Sequence, residues 1–491
     1  MSSSRMQIFG SAAVAGLLLL PLAAHRIEAR VVDPKPDPAT TTQKDQTDLS
    51  VTVYNSNLAL VRDVRQIHLE SGVLPLRFED VAASIMPATV HFRSLTDPAK
   101  LSVVEQNYEY DLLNPQKLLE KYVGREITLV QRETDAGSTK WVETKALLLS
   151  DNDGPVWKIG NEIVTGVAAE SYRFPDLPDN LYSRPTLVWT LDNRGPSAHQ
   201  VEASYLTNNM NWSADYVLTV GRDEKNADLD GWVTLVNNSG ATFRNAKLQL
   251  VAGEVHRTPE AEGAMRDMVV KEMSAPAAKP AFNQEAFSEF HLYTLGGRTS
   301  IQNNESKQIS LLGGTNIPVE KYLSVEGQPY YYRNPQGIGN AIPQPVKVFY
   351  RLKNDEKSGL GMPLPAGTVR VYQADSKGAV QFSGEDTINH TPKDETVRIY
   401  VGNAFDVVCE RKQTDYKKLA STLYELEYEI TLRNHKDAPV NVEVREPVGG
   451  DWEVLSATYK STKLDASTIG FQIPVEKNGT ATLDYRVRVK W

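Results

Sequence analysis

Between Gly384 and Val407 the chain reads GEDTINHTPKDETVRIYVGNAFDV, and Glu385, Asp386, His390, Asp394 and Glu395 fall within a dozen positions of it. Sugar hydrolysis needs two carboxylates at a fixed separation, and a divalent ion needs converging oxygens and imidazoles. Glu385, Asp386, His390 and Asp394 are therefore eligible metal ligands, and the cluster 385–395 is the eligible seat of a hydrolase acting on surface carbohydrate or peptide. The flanking residues point to something plainer. Val380 and Phe382 alternate with polar positions, as do Val397, Ile399 and Val401, and then Phe405, Val407 and Cys409. A period of two predicts strands, with NHTPKDE as the turn of one hairpin, GNA as the turn of the next, and Phe405, Val407 and Cys409 as a buried stripe. Carboxylates on a turn are in their ordinary solvated state, and Asn389 and Asp394 can bond backbone amides there. The turn reading is preferred and no catalytic residue is assigned.

The second stretch with chemical potential is GQPYYYRNPQG, where Tyr330, Tyr331, Tyr332 and Arg333 crowd one loop. Flat rings beside a planar cation suit stacking on sugars or gripping a peptide, so these four are the candidate binding residues; the plain alternative is that alternate tyrosines pack on the adjoining sheet. Other signatures are absent or broken. There is no His-Glu-x-x-His helix, Cys-x-x-Cys pair, P-loop or Gly-x-Ser-x-Gly elbow. GIGNAI, from Gly337, lacks the third glycine of a dinucleotide loop. DNDG, from Asp151, opens like a calcium loop, but Pro155 stands where a further oxygen ligand belongs, so a tight hairpin turn is the better reading. No cofactor is expected.

The elements that must position these residues are mostly strands. Ala481, Leu483, Tyr485, Val487 and Val489 alternate with polar residues, as do Tyr424, Leu426, Tyr428, Ile430 and Leu432, which describes antiparallel strands with one face in a core. One helix is expected at 115–123, where Asn114 can cap, Pro115 fits the first turn and Gly124 can end it. A weaker helix lies in EGAMRDMVVKEMSAP, inside a section, 258–289, expected to be a long mobile insertion. A faint repeat links LDNRGPSAHQVEASYLTNNMNW with LRNHKDAPVNVEVREPVGGDW: both begin Leu-x-Asn, at Asn193 and Asn434, continue to Val-Glu at Val201 and Val442, and reach Trp212 and Trp452. Leu-x-Asn recurs at Asn237 and Asn354.

At the N-terminus Arg5 precedes the apolar run IFGSAAVAGLLLLPLAA, followed by Ala23, Ala24 and Ala29, the three parts of a secretory signal peptide. Residues 1–29 are so assigned, with cleavage after Ala24 or Ala29. Residues 30–48, rich in Pro, Thr and charge, are expected to be a disordered tether. No later segment is apolar enough to span a bilayer. The single cysteine, Cys409, permits no intrachain disulfide and alternates with apolar residues, which marks it as a buried small side chain and not a nucleophile. An export signal without disulfides favours a bacterial periplasm or cell surface. The net charge of -9 over 491 residues offers no basic patch for nucleic acid.

The blocks VTVYNSNLALVRD, VVEQNYEYDLLNPQKLLEKYVG, NWSADYVLTV, GWVTLVNNSG, KLQLVAGEV and GEDTINHTPKDE with GNAFDV resemble bacterial proteins carrying domain of unknown function 4139, related to the mucoidy-inhibitor-A-like proteins. The resemblance implies an exported or envelope-associated β-rich protein and supplies no active-site residues. The expected architecture is mainly β, two to three antiparallel β-sandwich (immunoglobulin-like) domains with one or two short helices, divided at 49–183, 184–342 and 343–491. The expected role is that of an envelope scaffold or binding module, its partner an envelope protein or surface polysaccharide. The alternative is the hydrolase.

Overall fold

The computed structural model describes residues 39–109, 113–135, 138–178, 181–182, 184–253, 255–256 and 282–491. The expected signal peptide, the expected tether as far as residue 38 and the expected weaker helix fall on residues outside those described. The fold is mainly β, as expected, and its one α-helix among the described residues, Pro115–Lys121, is capped by the Asn114 side chain accepting from the Lys117 amide. No helix among the described residues is long and apolar enough to cross a membrane. The sheets are mixed: Phe243–Ala252 runs parallel to Gln46–Tyr54, Gly367–Ala374 to Met210–Val220, and Val440–Pro447 to Glu305–Glu326.

Four copies of one arrangement account for most of the chain. Each Leu-x-Asn ends a strand, and each asparagine is buried. The Asn434 side chain donates to the carbonyls of Ala438 (2.9 Å), Val475 (3.3 Å) and Glu476 (3.0 Å) and accepts from the Lys436 amide (3.0 Å). Asn354 donates to Met362, Thr391 and Pro392 and accepts from Gly361. Asn237 donates to Ala241, Ile301 and Gln302 and accepts from Ser239. Asn193 donates to Leu69, Glu70 and Pro196 and accepts from Gly195. In every copy the amide thus grips its own turn and two consecutive carbonyls of a distant loop, satisfying backbone groups that would otherwise be buried unpaired.

Strand pairing repeats with the grip. Leu423–Asn434 pairs with Thr480–Lys490, which follows its gripped loop, and Val440–Pro447 pairs with Thr468–Val475, which precedes it. The same relations join Lys347–Lys353 to Thr396–Asn403 and Gly367–Ala374 to Val380–Ile388. They join Asn226–Asn237 to Glu305–Glu326 and Phe243–Ala252 to Phe290–Ile301, and Thr186–Asn193 to Gly72–Glu79 and Ala198–Thr207 to Leu58–His68. Two positions after the second gripped carbonyl each loop holds a residue with positive φ: Gly72, Asn304, Asp394 and Asn478. These are the residue types that tolerate the left-handed region. In the first copy the gripped loop comes before its asparagine in the chain instead of after it, so that unit is a circular permutation of the other three.

This permutation carries strand pairing across the expected boundary between 183 and 184, and the parallel pair Gly367–Ala374 with Met210–Val220 carries it across 342/343. One hydrophobic core accordingly runs from Leu49 to Ile399, a second from Leu323 to Val489. A third, small core around Leu129, Leu148 and Trp157 belongs to the five-stranded sheet built from residues 126–173. Boundaries drawn along the chain assume that each domain is contiguous, and sandwich strands need not be.

Three local expectations need correction. Residues 39–48 are not tether: Ala39–Thr41 pairs parallel with Leu76–Phe78, Thr42 and Asp45 cap a single 3-10 turn, and Gln46 opens a long strand. Main-chain pairing holds this stretch, which composition alone does not register. The insertion ends sooner than 289, because Phe282–Phe287 forms a hairpin with Phe290–Ile301; residues 258–281 lie outside the described residues. Phe405 is 94% exposed while Val407 and Cys409 are buried, since the strand ends at Asn403 and residues 405–406 form a bend before the next begins.

Candidate functional site

The acid-rich stretch is a corner of the third copy. NHTPKDE joins Val380–Ile388 to Thr396–Asn403, which pair with different partners, so it is a crossover and not a hairpin turn. GNA likewise leads to Val407–Lys418, which pairs with Ala341–Gln344 and Leu423–Asn434. Thr391 and Pro392 supply the carbonyls that Asn354 grips, and Asp394 is the left-handed residue (φ 68°) whose amide donates to the Asn354 carbonyl at 2.8 Å.

The four candidate ligands part company. Glu385 lies 3.4 Å from the Arg370 guanidinium. Asp386 accepts from the Tyr400 amide at 2.8 Å, next to Gly384, where an added Cβ would collide with the Val401 carbonyl. His390 Nδ1 accepts from the Ala366 amide at 3.1 Å. That imidazole, with Asn389, shares the rim of an open cavity of about 660 Å³ with Asn55, Ser56 and His256, residues from distant segments. Among the described residues no three His, Cys, Asp or Glu gather to hold a metal ion. DNDG is the turn between two paired strands, as read from the sequence.

The tyrosine loop divides between core and surface. Pro329–Tyr332 forms a 3-10 turn in which Tyr331 and Tyr332 are buried and Tyr330 is exposed. Tyr332 donates to Glu446, its oxygen lies 2.7 Å from that of Tyr485, and Glu446 holds Arg411 in a two-pronged ion pair. The Arg411 guanidinium lies 4.7 Å from the Tyr331 ring, and Tyr428 donates to the Tyr331 carbonyl at 2.6 Å. Burial opposes the Arg411 charge, but the facing Glu446 carboxylate and the Tyr485 and Tyr332 oxygens outweigh it and hold its pKa well above the usual arginine range. Burial, reinforced by Glu446, pushes the Tyr332 and Tyr485 hydroxyls far up. Such a cluster fixes the loop by demanding that every partner be in place. Cys409 lies in the same core, its thiol pushed up to about 12 chiefly by burial, which leaves it protonated and inert.

Arg333 leaves this buttressed turn at the surface. Its guanidinium stacks over Trp491 with 4.7 Å to the ring centroid. No carboxylate among the described residues pairs with it. Beside it opens a hollow of about 400 Å³ lined by Arg333, Ser421, Thr422, Tyr424 and Trp491.

Residues 201–491 match the family model described as Domain of unknown function (DUF4139). The chain belongs to the DUF4139 family. No curated protein matches the chain at a significant level. The DUF4139 region holds the grips at Asn237, Asn354 and Asn434, the Arg411–Glu446 cluster and the whole Arg333 hollow. It begins inside Ala198–Thr207, so the permuted first unit is mostly outside it.

Sequence reasoning singled out Arg333 but missed Trp491, Ser421 and Thr422, which reach it only through the fold. It also missed Arg411 and Glu446, although a signal existed. Val407, Cys409, Arg411 and Gln413 share one strand phase, as do Val442, Val444 and Glu446, and a charge on the inward phase of a strand announces a buried polar partner.

Proposed function

We propose that this DUF4139 protein is an exported scaffold of the cell envelope that binds an envelope protein or surface polysaccharide through the Arg333 hollow. The observation that carries the reading is the contrast around Arg333: an exposed guanidinium with no carboxylate partner among the described residues, on a turn whose neighbouring tyrosines are fixed in the core. Binding sites commonly sit on loops that a rigid scaffold positions. Of the carboxylates in 385–395, Glu385 faces the Arg370 guanidinium and Asp386 accepts from the Tyr400 amide, which favours binding over hydrolysis. Export rests on Arg5, the apolar run and the small residues at Ala24 and Ala29.

Two measurements test it. N-terminal sequencing of protein from fractionated cells is expected to find chains beginning after Ala24 or Ala29 in the periplasm or at the cell surface; intact chains confined to the cytoplasm would overturn export. Pull-down from native envelope is expected to recover a polysaccharide or envelope protein with the wild type and at least tenfold less with Arg333→Ala at unchanged melting temperature. Equal recovery by both would remove the hollow from the account.

A further inference from the structure

Resting on that binding reading, the chemistry of the hollow narrows its occupant. We infer that it takes a hydroxylated ring bearing a carboxylate, the chemistry of a uronic-acid sugar. The guanidinium of Arg333 is a planar fork of donors that fits a carboxylate with two parallel hydrogen bonds. Trp491 lies under that guanidinium, 4.7 Å from ring centroid to cation, and is itself held in place: its amide donates to the Thr422 carbonyl at 2.9 Å, and its indole N–H to the Tyr332 carbonyl at 3.4 Å. The indole also packs so closely on Gly449 that an added Cβ would sit 2.6 Å from the ring. One ring thus rests on glycine and carries the cation.

The Arg333 guanidinium is the one charged side chain among the residues that line the hollow. None of the lining side chains is acidic, and the Lys418 ammonium lies 5.9 Å from the centroid of the Tyr424 ring that forms part of the lining. A neutral occupant would leave the fork unmatched. The remaining groups suit a polyol. Ser421 and Thr422 offer hydroxyls that both donate and accept. Tyr424 spends its own hydroxyl on the Ser421 carbonyl at 3.0 Å, which leaves its ring as a flat wall. The hollow falls within the usual size of small-ligand sites, roughly 300–1,000 Å³, and one sugar ring fits it.

The test is titration of the mature protein with two oligosaccharides of equal length, one of glucuronic acid and one of glucose, repeated with Arg333→Gln and Arg333→Lys. The expected result is at least tenfold tighter binding of the glucuronic-acid chain, weakened by salt. That preference should be abolished in Arg333→Gln and only partly kept in Arg333→Lys, which retains the charge without the fork. Equal affinity for both sugars would overturn the carboxylate while leaving the binding reading intact. Binding of neither, with Arg333-dependent recovery of an envelope protein still observed, would overturn the sugar alone. Loss of both would overturn the inference together with the reading beneath it.

Discussion

The loop 389–395 reads Asn-His-Thr-Pro-Lys-Asp-Glu and the loop 474–479 reads Pro-Val-Glu-Lys-Asn-Gly. The first has the composition of an active site, the second of an ordinary surface turn. Both are crossovers gripped by a buried asparagine through two consecutive carbonyls, and both place a left-handed residue two positions later, Asp394 or Asn478. The shared geometry is made by the backbone and one amide, so the side chains of the loop are free to vary. Density of acids and a histidine therefore marks a permissive corner here, whereas the residue that stands out is Arg333, a cation with no carboxylate partner among the described residues.

The largest break in the comparison is available in the fourth unit, whose core holds an ion pair. Glu446→Gln leaves Arg411 buried without its counter-charge, and urea unfolding should show a loss of about 3–5 kcal/mol; a loss below about 1 kcal/mol would mean the cluster does not fix the Tyr331–Tyr332 turn. Asn354→Ala and Asn434→Ala each strip three carbonyls and one amide of a buried partner, and the two losses should be alike, about 2–4 kcal/mol. A marked inequality would break the equivalence of the two corners. Asp394→Gly should change stability by about 0.5 kcal/mol or less, since glycine accepts the left-handed backbone, while Asp394→Val should cost about 1–2 kcal/mol. Finally, Cys409 should resist a thiol reagent at pH 8.5 in the native protein and react at once in urea. Its pKa of about 12 keeps the thiolate scarce at any pH the fold survives, and labelling of the native protein would place it outside the core.

Much of this architecture could be read from the sequence because its signals are local. Alternation located the strands around Leu426 and Leu483, Asn114 and Pro115 located the helix, and Leu-x-Asn marked all four grips before their bonds were known. Partners were not legible. Nothing near Asn354 in the chain points to Thr391, and nothing near Arg333 points to Trp491, because sheet pairing is decided by contacts far apart in sequence. Phase carried past a strand end misplaced Phe405. The permuted first unit defeated contiguous boundaries for the same reason: the gripped loop at Leu69 and Glu70 precedes Asn193 by a whole inserted sheet.

The account stands or falls on which of the two chemically suggestive stretches touches a ligand. Recovery of bound envelope material should be compared for wild type, Arg333→Gln and the double variant His390→Ala/Asp394→Asn, all at matched melting temperature. The account predicts that Arg333→Gln loses at least tenfold while the double variant binds as the wild type does. Loss of binding in the double variant with Arg333→Gln unaffected would contradict it and return the site to the acid-rich corner.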